Sequence, residues 1–292
     1  MSQIMNVDSH RFRHHYIRLP SDSYDPLEPI GSAMRETLEA VAAGELSVSA
    51  AEARLSGYTT TPSGRFDAAR ESRRGIPEGI LAEGKTPTEV LDLAEAAVDT
   101  TGRALVTRAD ADHCEAVEAA FTSTAATVSV DDRAGTITVT GEDFDQPSLA
   151  AEVCIITGGT SDYPVAGEAA AVVEAVGADC TLIQDIGVAN IDRLFDQLGE
   201  IRAADVVIAV AGREAALPTV VAGQVDAPVI GVPVSTGYGH GGDGEAALSG
   251  LLQSCTALSV VNVDAGFTAG AQAALIARAV DGAATAAAES VS

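Results

Sequence analysis

Basic residues are scarce in this chain. Lysine and arginine together number 17 against 42 aspartates and glutamates, for a formal net charge of −25. That balance argues against a broad basic face for nucleic acid, which needs clustered cations on phosphate. Long hydrophobic runs are missing as well. Hydrophobic residues make up 47% of the chain, yet no apolar stretch reaches the roughly 20 residues of a bilayer span. The N-terminus carries Arg11, Arg13, His14 and His15 but no apolar core, so it does not read as a secretory signal and a cytoplasmic location is expected. Cys114, Cys154, Cys180 and Cys255 show no CxxC spacing, which speaks against a zinc site and against a disulfide framework. GxSxG, HExxH and P-loop motifs are absent too. What remains is an acidic chain rich in Ala, Val, Thr and Asp with few lysines. That is the composition of a salt-adapted protein from a halophile, in which high salt screens self-repulsion.

The 292 residues suffice for one large or two ordinary domains. Residues 1–31, with Pro20, Pro26 and Pro29, read as a flexible extension. Residues 32–150 read as a helical and mixed α+β region. Met34, Leu38 and Val41 mark a helix over 32–42, and Ser47 or Ser49 caps a second one ending near Leu55. Thr59–Ser63 reads as a turn-rich linker. Thr86-Pro-Thr-Glu opens a further helix. A short strand at 104–107 and a helix at 110–121 follow. Segments 127–130 and 136–140 then alternate as a hairpin at a sheet edge.

Residues 151–281 change character. Strands are predicted at 153–156, 180–185, 206–210, 229–232 and 259–263. Helices are predicted at 165–176, 191–198, 217–222, 245–255 and 267–280, with 282–292 as a tail. Alternation of this kind means an α/β fold, a three-layer domain with a parallel sheet covered on both faces. Its Ala/Gly-rich closing helix, Ala269–Ala279, offers a flat surface for assembly. Ligands in such sheets sit at the C-terminal strand ends, which here carry 157–162, 185–187, 211–214, 235–239 and 262–266.

The stretch Val153–Asp162 is a buried strand running into Gly158-Gly-Thr-Ser-Asp162 and then a helix. Backbone N–H groups and a helix N-terminus would welcome a phosphate there. A tight strand-to-helix turn uses the same residues without any ligand. Arg70, Arg73, Arg74 and Lys85 concentrate the chain's cations; they suit a specific anion, or they answer the protein's own carboxylates. Asp162 and Glu214 are candidate general bases or metal ligands, or solvated charges. His240 sits in a Gly-rich loop. Cys255, read from the residues alone, is a small buried apolar side chain.

The loop Gly158–Asp162, the run Ala211–Gly223 and the run Ala227–Pro233 resemble the PurE family of aminoimidazole ribonucleotide carboxylases and mutases. The chain lacks that family's Ser-Ala-His-Arg motif and its histidine before Leu-Pro. From Met34 to about Ala279 it is similar instead to the LarB family, PurE-like enzymes of nickel-pincer nucleotide synthesis. The matching pieces are Arg70–Glu78, Ala82–Thr86, Gly159–Ala166, Ala211–Glu214, Gly237–Gly239, Ser254-Cys255 and Val261–Phe267. Segment His240–Glu245 departs from the family pattern.

The LarB resemblance implies a PurE/flavodoxin-like fold and carboxylation of C5 of the pyridinium in nicotinic acid adenine dinucleotide by CO2 or bicarbonate. It also implies cleavage of the phosphoanhydride to AMP and pyridinium-3,5-biscarboxylate mononucleotide. Cys255 is then the nucleophile and Glu214 the base. Gly159, Thr160, Ser161 and Asp162 bind the phosphate region, with Gly212, Gly237, Tyr238 and Gly239 on the same site. Arg70, Arg73 and Lys85 meet carboxylate or pyrophosphate, and Mg2+ assists the cleavage. The resemblance further implies a homo-oligomer, expected to be an octamer, that hands its product to later pincer-nucleotide enzymes. The alternative is a PurE-type purine enzyme. A nucleotide-binding or assembly module in which Cys255 is only core is a third reading.

Overall fold

A computed structural model describes residues 30–289, so the expected extension at 1–31 lies outside the described residues except for Ile30 and Gly31, which open a helix instead; residues 290–292 lie outside as well. Helices α1 (Ile30–Ala43) and α2 (Val48–Ser56) open the described chain. Ser47 caps α2 by accepting the Ala50 N–H at 3.0 Å. Residues read as a linker form instead a small antiparallel hairpin, β1 (Thr59–Thr61) with β2 (Gly64–Phe66). Thr60 ties it down by donating its N–H to Glu52. After the short helix α3 (Arg70–Arg74) come β3 (Gly79–Leu81), α4 (Pro87–Thr101), β4 (Arg103–Thr107), α5 (Ala111–Phe121), β5 (Thr127–Asp131) and β6 (Thr136–Thr140). Thr86 and Glu89 close a capping box on α4, with proline at its start. Strand β3 had no periodic signal, being only three residues long.

The second half alternates strictly: β7 (Glu152–Thr157), α6 (Tyr163–Val176), β8 (Asp179–Ile183), α7 (Ile191–Ile201), β9 (Val206–Ala211), α8 (Ala216–Ala222), β10 (Val229–Pro233), α9 (Glu245–Leu252), β11 (Ser259–Val260) and α10 (Gly266–Glu289). The five strands are parallel in the order β11-β10-β9-β7-β8. Counted within this half, that is 2-1-3-4-5, the doubly wound order whose direction reverses between β7 and β9. Several limits move. Helix α9 stops at Leu252, so residues 253–255 are not helical. Strand β11 keeps only two of five predicted residues, and β8 ends at Ile183. Helix α10 runs through the predicted tail as far as Glu289, because nothing in its Ala-rich sequence breaks a helix there.

The first sheet, ordered β3-β4-β6-β5, packs α4 and α5 on one face around Val90, Val106, Val117 and Val139. Its other face meets α6 and α10, where Leu105 joins Val172, Val176 and Ala274. Those two helices also cover the five-stranded sheet through Ala166, Ala169, Ala269 and Ala273. Helices α7, α8 and α9 cover its far face through Leu194, Leu217 and Leu251. The layers are therefore helix, sheet, helix, sheet, helix. Helices α6 and α10 lie between two sheets, which is why both are Ala-rich. A Cβ on Gly270 would come 2.5 Å from the Ala169 carbonyl oxygen, too close for any side chain. The small-residue face of α10, read as an assembly surface, is thus largely spent inside the molecule.

Three arginines fasten the two sheets together. Buried Arg103 donates to the Ala175 carbonyl and to Glu71 at 2.8 Å. Arg108 donates to buried Glu168 and to the Asp264 carbonyl at 2.7 Å. Arg133 reaches from the β5–β6 turn to the Thr160 carbonyl.

Candidate active site

A cleft of about 650 Å³ opens between the C-terminal ends of β7 and β9. It lies where the strand order reverses, so the flanking loops part and leave a crevice. Its lining includes Gly158, Gly159, Ser161 and Asp162 after β7, and Gly187 and Val188 after β8. Gly212, Arg213, Glu214 and Leu217 follow β9, and Thr236, Gly237 and Tyr238 follow β10.

Local chemistry builds each wall. Buried Thr157 ends β7; its hydroxyl accepts the Asp185 N–H at 3.1 Å and its carbonyl the Ile186 N–H at 3.0 Å. This anchors the β8 loop beside the glycines. A 3-10 turn, Thr160–Asp162, then leads into α6. Asp162 is 5% exposed, and its Oδ2 accepts the Gly159 N–H at 2.8 Å. Burial pushes the Asp162 carboxyl above the ordinary aspartate range, against the opposing pull of the Gly159 N–H and the Ser161 hydroxyl. Asp162 therefore shapes the loop through the Gly159 N–H, and it also lines the cleft.

The opposite wall is made by Arg213 and Tyr238. The Arg213 guanidinium stands 4.4 Å from the Tyr238 ring centroid, and Tyr238 is 82% exposed. An exposed aromatic stiffened by a cation is a stacking platform for a planar ligand. Arg213 and Ala215 both adopt left-handed backbone, as does Asp185 across the cleft. Such strain persists only where the surroundings over-determine it, and it gathers at functional sites. Glu214 lies between Arg213 and Ala215, exposed, lining both the cleft and its extension under His240 and Asp243.

The structure brings Gly159, Ser161, Asp162, Gly212, Glu214, Gly237 and Tyr238 to the cleft. Thr160 is exposed and contributes its carbonyl to Arg133 rather than a side chain to the lining. Gly239 adjoins the lining residues without being one of them. Arg70, Arg73 and Lys85 are elsewhere: Arg70 donates to Glu78 at 2.9 Å, Arg73 pairs with Asp67, and Lys85 donates to the Leu81 carbonyl. Cys255 is exposed, not buried, in the turn that leads into β11. That turn precedes a parallel strand, at the opposite end of the sheet from the cleft. Neighbouring Ser254 accepts the Thr219 hydroxyl of α8 at 3.0 Å. Sequence reasoning missed Arg133, Arg213 and Gly187. Gly187 and Arg213 fall in the expected strand-end segments 185–187 and 211–214, but nothing local singled out any of the three, and each acts through a neighbour distant in sequence.

Among the described residues, no group of three or more His, Cys, Asp or Glu side chains could hold a metal ion. A Mg2+ ion acting here would take most of its ligands from substrate phosphates and water. No helix of the described residues is long and apolar enough to cross a membrane.

Residues 152–291 match the family described as AIR carboxylase, and residues 58–141 match the LarB/PurE-like N-terminal domain. The chain is 36% identical over 218 residues to the uncharacterized protein MJ0165 of Methanocaldococcus jannaschii, covering 73% of this chain and 84% of that one. It is 41% identical over 93 residues to an N5-carboxyaminoimidazole ribonucleotide mutase of Thermotoga maritima, covering 31% of this chain and 54% of the mutase. Among solved structures, PurE of Treponema denticola is similar at 22% identity and a TM-score of 0.35, over 48% of this chain and 93% of that one.

Proposed function

This chain belongs to the LarB/PurE-like family, and from that premise we propose that it carboxylates the pyridinium ring of nicotinic acid adenine dinucleotide at C5 and hydrolyses the phosphoanhydride, with water as the attacking group. The products are AMP and pyridinium-3,5-biscarboxylate mononucleotide. One observation carries the choice over a PurE-type mutase. The lining of the cleft includes no histidine, whereas the mutase reading relies on an imidazole to carry the proton. His240 belongs only to the adjoining extension.

The chemistry follows from the substrate. A pyridinium carbon is electron-poor and does not attack CO2. Addition of the Cys255 thiolate at C4 forms a C–S bond and a dihydropyridine, whose C5 is enamine-like and nucleophilic. C5 then attacks CO2 and forms the new C–C bond. Glu214 takes the C5 proton, the C–S bond breaks, and aromaticity returns with the thiolate as leaving group. The glycine-rich loop of Gly159, Ser161 and Asp162 receives the phosphate region, and Tyr238 offers a face for a planar ring. Cys255 stands away from the cleft of its own chain, so in this reading it comes from a neighbouring copy in a homo-oligomer. Mg2+, held by the phosphates, would supply charge neutralisation for the anhydride cleavage.

The test is incubation with nicotinic acid adenine dinucleotide, bicarbonate and Mg2+, followed by mass spectrometry. AMP together with a mononucleotide heavier by one carboxyl group supports the reading. Turnover of carboxyaminoimidazole ribonucleotide without either product would replace it with the mutase reading.

A further inference from the structure

The β5–β6 turn of the first sheet holds the glycine-rich loop of the second. Arg133 donates one guanidinium nitrogen to the Thr160 carbonyl and another to Gln184 Oε1 at 3.3 Å. Its Cζ stands 4.3 Å from the Tyr163 ring centroid. Tyr163 in turn donates its hydroxyl to Asp131 Oδ2 at 2.5 Å. The other oxygen of Asp131 accepts the backbone N–H groups of Arg133 and Ala134, at 3.0 and 2.9 Å. Arginine, tyrosine and aspartate thus form a closed clamp between the β5–β6 turn and the first turn of α6. None of the three is among the residues lining the cleft.

We propose that Arg133 is a positioning residue that sets the anion-binding geometry of the glycine-rich loop from outside the cleft. The peptide bond explains how. In a trans peptide the C=O and the following N–H point in opposite directions. Drawing the Thr160 carbonyl outward, onto Arg133, turns the Ser161 N–H toward the cleft, which Ser161 lines. The same carbonyl also accepts the Tyr163 N–H, so the peptide plane is held from two sides. A donor aimed in advance binds an anion without the cost of ordering the loop. A fork with a planar face is needed, because the guanidinium must bond two acceptors while stacking on a ring. Lysine offers neither property. The first domain is thereby more than a packing partner: it supplies the part that fixes the cleft's loop.

The inference rests on reading the cleft as a nucleotide site, and the test separates the two. Arg133→Ala, Arg133→Lys and, as a remote charge control, Arg35→Ala are compared with the wild type in the salt that keeps the protein folded. Amide hydrogen exchange of residues 157–163 is followed by mass spectrometry without ligand, and AMP affinity by calorimetry. Arg133→Ala and Arg133→Lys are expected to speed exchange in that segment and to weaken AMP binding, each about tenfold, while Arg35→Ala changes neither. Unchanged exchange in Arg133→Ala overturns the clamp. Wild-type affinity in Arg133→Lys overturns it too, since charge alone would then suffice. A wild type that ignores AMP, with exchange still accelerated in Arg133→Ala, sinks the nucleotide reading and leaves the clamp standing. Should Arg133→Ala fail to fold, Tyr163→Phe removes only the bond to Asp131. It is expected to speed exchange in the same segment about threefold, and no change there counts against the clamp.

Discussion

Gly187 and Gly158 stand so close that a Cβ placed on Gly187 would lie 2.4 Å from the Gly158 carbonyl oxygen. The loop after β8 and the loop after β7 meet there, backbone against backbone, and their contact forms one corner of the cleft. Gly187→Ala must push the two loops apart, at about 1–3 kcal/mol by the usual cost of overpacking. Thermal unfolding should show the loss in stability, and AMP affinity should fall with it. A variant with wild-type stability and affinity would mean that the loops yield freely and do not define the cleft.

Asp162 provides a pH-dependent signature. Its carboxyl is raised by burial, so the folded state holds this proton to a higher pH than the unfolded chain does. Such a group costs stability as pH rises through its folded pKa, and the penalty is complete above it. Asp162→Asn removes the charge and keeps an oxygen able to accept the Gly159 N–H. Relative to wild type, the variant is expected to gain stability from pH 4 toward pH 7. Denaturant titrations of both proteins across that range check the sign. A difference that does not change with pH, or that falls, would place the Asp162 carboxylate in a better-solvated site.

The cysteines differ in chemistry. Burial pushes the thiols of Cys154 and Cys180 up to about 12, and raises that of Cys114. Cys255 alone is exposed. In native protein at pH 8, iodoacetamide should label Cys255 first, as peptide mapping would reveal. Cys255→Ser should fold normally and bind substrate, yet lose carboxylation by more than about a thousandfold if the thiolate is the nucleophile. Normal turnover by Cys255→Ser would end the covalent mechanism.

Assembly has its own test. If Cys255 serves the cleft of a neighbouring copy, Cys255→Ser and Asp162→Ala subunits, each inactive alone, should recover activity when co-expressed in one oligomer. Recovery requires that some clefts draw an intact Asp162 from one copy and an intact Cys255 from the other. A monomer by light scattering, or mixed oligomers with no activity, would show that each chain works alone.

Salt should matter more than usual. With a net charge of −25, self-repulsion depends on a screening length of about 10 Å at 0.1 M salt and about 3 Å at 1 M. The melting temperature is expected to climb steeply with KCl between those limits. A flat profile by circular dichroism would remove the halophilic reading of the composition.

Much of the fold was legible because its signals are local. Thr86, Pro87 and Glu89 announce α4, Ser47 announces α2, and the unbroken apolar run of β7 announces a strand buried on both faces. The cleft was legible for a related reason. Parallel strands put their C-terminal ends together, so Gly159, Asp162, Gly212, Glu214 and Gly237 could be gathered from the alternation alone. Segments too short for a period were not legible: β1, β2 and β3 have three residues each.

By itself, then, the sequence determined the parallel α/β half, the helix limits set by caps, and the family resemblance carried by its motifs. Tertiary structure alone decided how the first sheet sits on α6 and α10. It also decided that Arg70 and Arg73 are paired with Glu78 and Asp67 away from the cleft, and that Cys255 is exposed at the other end of the sheet. The Arg133 contact with Thr160 spans 27 positions, and the Arg108 contact with Asp264 spans 156. Caps and periodicity act within a few residues along the chain, whereas a guanidinium finds its acceptor only after both elements have packed, so nothing in the local pattern foretells the pair.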